Sequence, residues 1–438
     1  MAIKPTHKRF WVLFVVCCIY FITYLDRVNM SVAAPLLMRE YGIDKVQLGM
    51  VFSAFMLSYV IFQLPVGMLG DRFGPRLVLS AMVAVWSLVT FTTTFAWSLA
   101  ALVGFRLLFG ATEAGAFTLA TRSFAQWIPA TERGFAQGLT HGFSRLGGAV
   151  TPLILAPIIY AYGWREAFYL CAAVGLVWAI FWFVWYRDTP AQFNAAWGGV
   201  NDEEIALIAH SKGQKRKSAQ IGTLTMFRSK NMWMLCAGYF CYVYNLWIFL
   251  TWLPTYLVDA RGFTILKMGI FASIPLLAGT IGDTLGGWLS DQIWKKTGRA
   301  NFSRRIVGMS GLIAAACFMI PGAMTDSPSL AIFFLAASLF GLEMAVGVYW
   351  AVCLDIGDEY AGTVSSMMNC FGNIGSILSP FVFGVIVQAT GSWTYPFLVA
   401  SAILVAGALI WLLIRPDLTV AEELFGHREA GQLAGRHA

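Results

Sequence analysis

Charge is what this chain has least of. Asp, Glu, Lys and Arg make up 12% of 438 residues, about half the share of an ordinary soluble protein, and a solvated globular enzyme is thereby excluded. Histidine is scarce too: of five residues only His141 falls inside a long apolar stretch, so an intramembrane site built on imidazole has no ligand set. The eight cysteines, at 17, 18, 171, 236, 241, 317, 353 and 370, show no CxxC spacing and no histidine at metal-ligand distance. They read as small apolar packing residues, with no disulfide framework, metal or cofactor implied. Neither G-x-G-x-x-G nor a phosphate loop occurs. The longest polar segment, residues 188–230, is too short for a folded receptor module. A membrane enzyme and a receptor are therefore the weaker function classes.

What the chain has is apolar length: 58% hydrophobic and 15% aromatic residues. Twelve stretches of membrane-spanning length follow one another, roughly 9–29, 48–70, 76–96, 98–121, 134–161, 166–187, 231–257, 266–290, 304–323, 328–352, 362–388 and 393–414. An all-α membrane protein of twelve transmembrane helices is expected. The first stretch has no small-residue cleavage site after a short core, so it reads as a retained span. With the amino terminus inside, twenty-two of the thirty Lys and Arg fall in inside segments, five fall outside, and Arg27, Arg106 and Arg145 lie within spans. That bias puts both termini in the cytoplasm of a cell membrane, the inner membrane in a bacterium, and assigns the net charge of +7 to inside loops and not to nucleic-acid binding. The expected division is 1–187, a linker 188–230, 231–414, and a tail 415–438. In the linker, Asn201-Asp202-Glu203-Glu204 followed by Ile205, Leu207 and Ile208 predicts a short capped helix at the membrane surface, and the basic run Lys212 to Lys217 suits anionic headgroups. The segment otherwise reads as a solvated connector, with a regulatory role as the alternative.

The loop after the second stretch reads Gly67-Met-Leu-Gly-Asp71-Arg72-Phe-Gly74-Pro75-Arg76, and Gly287-Trp-Leu-Ser-Asp291 recurs 220 residues later. Two six-helix halves are implied. This layout and motif resemble the major facilitator superfamily, which implies the major facilitator fold. In the motif, Gly67 is expected to let helices approach, Gly74 and Pro75 to turn, Asp71 to meet a helix amino terminus, and Arg72 and Arg76 to find acids or lipid phosphates, together a cytoplasmic gate. The second copy lacks an arginine directly after Asp291. Within the superfamily, Tyr24-x-Asp26-Arg27-x-Asn29, Arg106-Leu-Leu-Phe-Gly110-x-x-Glu113, Thr251-Trp-Leu-Pro-Thr-Tyr256 and Asn369-Cys-Phe-Gly-Asn373 are similar to the anion:cation symporter group. That resemblance implies carriage of sugar acids, dicarboxylates, aromatic carboxylates or sulfonated carboxylates.

Ionisable groups inside a membrane span are costly and mark function by default. Asp26 and Arg27 lie in span one, Arg106 and Glu113 in span four and Glu343 in span ten, all spans that line the cavity of an inverted-repeat transporter; Asp283 in span eight is the exception. Arg106 and Glu113, seven residues apart, share one helix face roughly 10 Å apart along the axis. Arginine stays protonated and offers a fork to carboxylate or sulfonate, which makes Arg27 the expected anion ligand. Asp26 and Glu113, with Arg106, are the expected proton-coupling groups, sodium being the other coupling ion open to such a site. Tyr24 shares the face of Arg27, and by resemblance Tyr59 and Asn369 face the same cavity. Trp350 reads as a wall of the site or as an interfacial tryptophan. Arg145, four residues after His141 on one face, is either a second anion ligand or a structural partner. The expected function is proton-coupled uptake of a small organic anion by a monomer in the lipid bilayer. An organophosphate/phosphate antiporter is the nearest rival, disfavoured by acids beside the arginines.

Overall fold

The computed structural model describes residues 5–129, 132–210, 223–357 and 360–426; the side chains of Leu64, Asp71, Ala209, His210, Thr223 and Leu224 stand outside that description, as does the run Lys212 to Lys217. The described residues form seventeen helices: α1 Lys8–Tyr41, α2 Lys45–Phe73, α3 Pro75–Thr93, α4 Leu99–Glu113, α5 Ala116–Trp127, α6 Arg133–Tyr162, α7 Trp164–Trp185, α8 Pro190–Trp197, α9 Asp202–His210, α10 Thr223–Met226, α11 Lys230–Asp259, α12 Ile265–Thr297, α13 Ala300–Met324, α14 Pro328–Met344, α15 Val346–Gly357, α16 Ala361–Thr390 and α17 Thr394–Ile410. Among the described residues, eleven spans are long and apolar enough to cross a membrane, counting α4 with α5 and α14 with α15 as one each; α17, with 17 residues, is a shorter apolar helix.

Local chemistry sets the helix ends. Asp44 and Gln47 exchange side-chain bonds with each other's backbone at the start of α2, and Ser98, Ser229 and Ser327 cap α4, α11 and α14. The first helix continues well past residue 29, the expected limit of the first span, because nothing in Met30 to Leu37 breaks a helix except Pro35. It stops at Gly42, whose φ of 62 closes the end in the left-handed region. Spans four and ten are each interrupted, at Ala114–Gly115 and at Ala345, a feature that hydropathy alone does not reveal.

The chain divides into two compact units, Met1–Lys215 with Phe263–Ser273, and Arg216–Gly262 with Ile274–Ala438. In the first, α1 packs mainly on α6, α2 on α4, and α3 on α7; in the second, α11 packs on α16 and α13 on α14 and α17. The α1–α6 contact is intimate because α6 carries Gly147, where a Cβ would stand 2.5 Å from the Phe21 carbonyl oxygen.

Each unit also ties the start of its first long helix to a glutamate far along the chain. Asn201 caps α9 as expected, accepting from the Glu204 amide at 3.0 Å. The solvated connector is corrected for this stretch: Glu204 is fully buried, accepting from the Arg9 amide (3.2 Å), the Arg9 guanidinium (3.1 Å) and the Thr6 hydroxyl. Arg9 in turn bonds Glu132 at 2.9 Å. In the second unit Glu423 accepts from the amides of Lys230 (3.0 Å) and Asn231 (3.3 Å) and from the Ser229 hydroxyl. Carboxylates at helix amino termini answer the unpaired N–H groups there.

Candidate functional site

Arg27 is the centre of the first unit's charged interior. Its Nε donates to Glu113 Oε1 at 2.7 Å, the two side chains being 6% and 0% exposed. Four aromatic rings surround its guanidinium: Tyr59 at 4.9 Å, Phe117 at 5.1 Å, Tyr24 at 5.3 Å and Phe55 at 5.5 Å to the ring centroids. Such a cage holds a cation by its ring faces while excluding water. Phe55 and Phe117 belong to the site without any sequence signal, being two of thirty-four phenylalanines. Nη2 of Arg27 and Oε2 of Glu113 are buried without a hydrogen-bond partner among the described residues. The pair thus keeps the two N–H groups of Nη2 and one carboxylate oxygen unspent.

The break between α4 and α5 explains how this comes about. Glu113 is the last residue of α4, and Phe117 stands in the first turn of α5, so the interruption lets carboxylate and ring approach Arg27 from two short helices. Arg106 does not pair with Glu113, as their shared face permitted. Its guanidinium lies over Phe55 (4.8 Å) and Phe109 (5.2 Å), and its Nε is buried without a partner. Phe55 therefore sits against both arginines.

Asp26 departs most from expectation. It adjoins Arg27 in sequence, yet successive helical residues point about 100° apart, and Asp26 faces Trp86 of α3 and Cys171 of α7. Neither of its oxygens accepts a hydrogen bond among the described residues. Asp26 and Arg27 therefore occupy different faces of α1, with Arg106 in electrostatic contact with both Asp26 and Glu113.

Arg145 reaches the site from α6. Its Nη1 donates to the Tyr24 hydroxyl at 3.3 Å, and its guanidinium lies 5.9 Å from the same ring. Gly148, where a Cβ would meet Tyr24 at 3.2 Å, permits this approach. One turn away His141 stands edge-on to Tyr20 at 5.8 Å, and Gln137 donates to Thr121 at 2.9 Å. A polar strip on α6 thus continues from Tyr24.

Two further expected substrate ligands lie in the second unit. Asn369 and Trp350 are half-buried there, Trp350 edge-on to Tyr239 at 6.2 Å. Glu343 accepts from the Tyr242 hydroxyl at 3.0 Å and is 2% exposed.

At the motif loop Gly74 has φ +81, which only glycine adopts readily, and a Cβ there would stand 2.7 Å from Asp188. Asp188 is the residue that sequence reasoning missed: it accepts from the Arg76 amide at 2.9 Å. Burial pushes its carboxyl above the usual range, against the pull of that amide and of the Arg76 and Arg122 guanidiniums. The Arg76 guanidinium donates from Nε to the Phe183 carbonyl at 2.9 Å. Arg72 is exposed beside Phe73. Gly67 is not the point of tight approach, since a Cβ there would make ordinary contact with Thr118 at 3.5 Å; Gly70, against Leu119, is. The Asp71 side chain lies outside the described residues. In the second copy Arg304 supplies the missing cation, bonding Asp291 at 2.7 Å and Asp355 at 3.0 Å.

Comparison with known proteins adds an independent line. Residues 16–380 match the family described as Major Facilitator Superfamily. The probable sulfoacetate transporter SauU of Cupriavidus necator is 43% identical over 94% of this chain and 95% of its own length. The hexuronate transporter of Bacillus subtilis is 32% identical over 89% and 90%, and the D-galactonate transporter of Escherichia coli 30% over 95% and 98%. Among solved structures, a bacterial homologue of the human lysosomal transporter Spinster matches with a TM-score of 0.71 over 98% of this chain and 99% of that one; at 18% identity this likeness concerns the fold alone.

Proposed function

The chain belongs to the Major Facilitator Superfamily, and from that premise we propose that it takes up a small organic anion together with protons by alternating access. As a family member it is a multi-pass membrane transporter and not an enzyme. The observation that carries the reading is the half-spent pair in the first unit. Arg27 is tied to Glu113 through Nε, while Nη2 and Oε2 have no partner among the described residues. A carboxylate or sulfonate docks on the open Nη2 by charge-assisted bonds. A proton on Glu113 removes the charge that competes for the guanidinium, so anion and proton favour one another's binding. Asp26, about 100° round α1 from Arg27, is the second proton carrier, within electrostatic reach of both Glu113 and Arg106.

Arg145 extends the reading to substrate class. Two guanidiniums flank Tyr24, which suits an anion with two acidic ends, and SauU is named for sulfoacetate, which carries a sulfonate and a carboxylate. A short sulfonated carboxylate is therefore the first compound to test, with dicarboxylates and sugar acids next. Tyr59 supplies a hydroxyl for an oxygen-rich substrate, and Asn369 and Trp350 are its candidate ligands in the second unit. The same proposal has both termini in the cytoplasm, the membrane being the inner one if the cell is bacterial, and the protein acting as a monomer.

Uptake into proteoliposomes of a panel of organic anions, at two external pH values, tests the reading. Accumulation of a sulfonated or dicarboxylic anion driven by an inward proton gradient is expected. Exchange of organophosphate for inorganic phosphate, indifferent to that gradient, would replace the reading with an antiporter.

A further inference from the structure

On the face of α1 turned away from Arg27, the first unit encloses polar atoms that the protein leaves without partners. Both carboxylate oxygens of Asp26, the amide oxygen of Asn29, the indole N–H of Trp86 and the hydroxyls of Ser87 and Thr90 make no hydrogen bond among the described residues. Each of these residues is no more than 3% exposed. Buried polar groups are ordinarily satisfied, and those that are not call for a partner beyond the side chains at hand.

These atoms converge from two helices. Asp26 and Asn29, three residues apart, share a face of α1; Trp86 and Thr90, four apart, share a face of α3. The Trp86 indole is turned toward the Asp26 carboxylate without closing a bond, and Cys171 of α7 stands beside Asn29 and Asp26. α7 comes close because Gly175 faces α3: a Cβ there would stand 2.3 Å from Ser87 Oγ and 3.7 Å from Trp86 Nε1.

We propose that this nest is a binding site for ordered water inside the first unit. The inventory of atoms selects the ligand. Three acceptors, one N–H donor and two hydroxyls that act either way are the partners of molecules that both donate and accept. A metal cation at Asp26 would meet the Trp86 N–H and the Arg106 guanidinium, and an anion would meet the carboxylate itself. Water bridges Asp26 to Asn29 by donating and accepts from Trp86 or Thr90. Where Asp26 carries protons, a reading taken from the proposed function, this water solvates the carboxylate and gives the proton somewhere to go on a face of α1 other than that of Arg27.

Hydroxyl-radical footprinting of the full-length protein in isotopically labelled water tests the site without any transport assay. Radicals form from water in place, so a buried side chain is oxidised only where water is bound beside it. Trp127, Trp182 and Trp252 are equally buried, but their N–H groups donate to the carbonyls of Arg187, Pro75 and Pro380. They are the internal controls. Trp86 is expected to be oxidised several-fold faster than all three, and to fall to their rate in Asn29→Leu and Thr90→Val, with the controls reporting in the same spectra that the fold persists. Trp86 oxidation no faster than the controls in the unaltered protein overturns the proposal. Labelling that survives both substitutions overturns the assignment of these groups as its ligands. Loss of proton-driven uptake in Asp26→Asn with Trp86 labelling intact leaves the water standing, so the two readings fail separately.

Discussion

In the first unit Glu113 closes α4 and gives a carboxylate oxygen to Arg27; in the second, Glu343 stands one residue before the end of α14 and accepts from the Tyr242 hydroxyl. The two lie in related runs, Phe109-Gly110-Ala111-Thr112-Glu113 and Phe340-Gly341-Leu342-Glu343, and in each unit the spanning helix is interrupted just beyond the acid. Each half thus puts a carboxyl close to the break in its interrupted span, one residue out of register with the other, and the neighbours set what it does. Facing a guanidinium, the acid competes with a substrate anion for positive charge; the Tyr242 hydroxyl offers Glu343 an uncharged hydrogen bond. The proposed anion site accordingly centres on Arg27 and Glu113.

Substitution of Arg27 is the hardest blow to this contrast. Arg27→Lys keeps the charge but removes the fork, and the affinity for substrate is expected to fall about 100-fold, the scale of a lost charge-assisted bond. Substrate binding measured calorimetrically in detergent checks it; unchanged affinity would move the anion site elsewhere. Arg145→Ala should raise KM for di-anions about tenfold while sparing mono-anions, and a uniform loss, or loss of expression, would mark a structural role. Glu343→Gln, which retains an acceptor for Tyr242, is expected to change uptake by no more than about threefold. A collapse of proton-driven uptake in that variant would make the two units equivalent.

The smallest effect is expected at the motif loop. The Asp188 carboxyl is raised in the folded protein above its ordinary 3.8, so the folded state binds this proton more tightly than the unfolded one. Its contribution to stability is then greatest below 3.8 and declines as pH rises through the folded value. Asp188→Asn should flatten that decline, seen as a melting temperature that changes less as pH is raised from about 4 than in the unaltered chain. An unchanged profile would show that the loop is indifferent to this charge.

How much of this could be read beforehand depended on the range of the interaction. Apolar runs and the Asn201 cap are local, and both were legible. Arg27 and Glu113 stood out because charge inside a span is conspicuous wherever its partner lies. What failed to show were partnerships across the fold between common residues: Phe55 and Phe117 around Arg27, Asp188 behind Gly74, and Glu204 under Arg9. Arg304 reaches Asp291 from the next helix, so the second copy looked incomplete only because its cation is not adjacent. The rotation of Asp26 away from Arg27 was implicit in helical geometry, but which helix it faces was not.

The central claim is that Arg27–Glu113 couples an organic anion to protons, with Asp26 as the second carrier. The most direct measurement is substrate accumulation in proteoliposomes under an inward proton gradient, set beside substrate counterflow without one, for Glu113→Gln and Asp26→Asn. Each variant is expected to lose gradient-driven accumulation while retaining counterflow, and gradient-driven accumulation that survives in both would contradict the account.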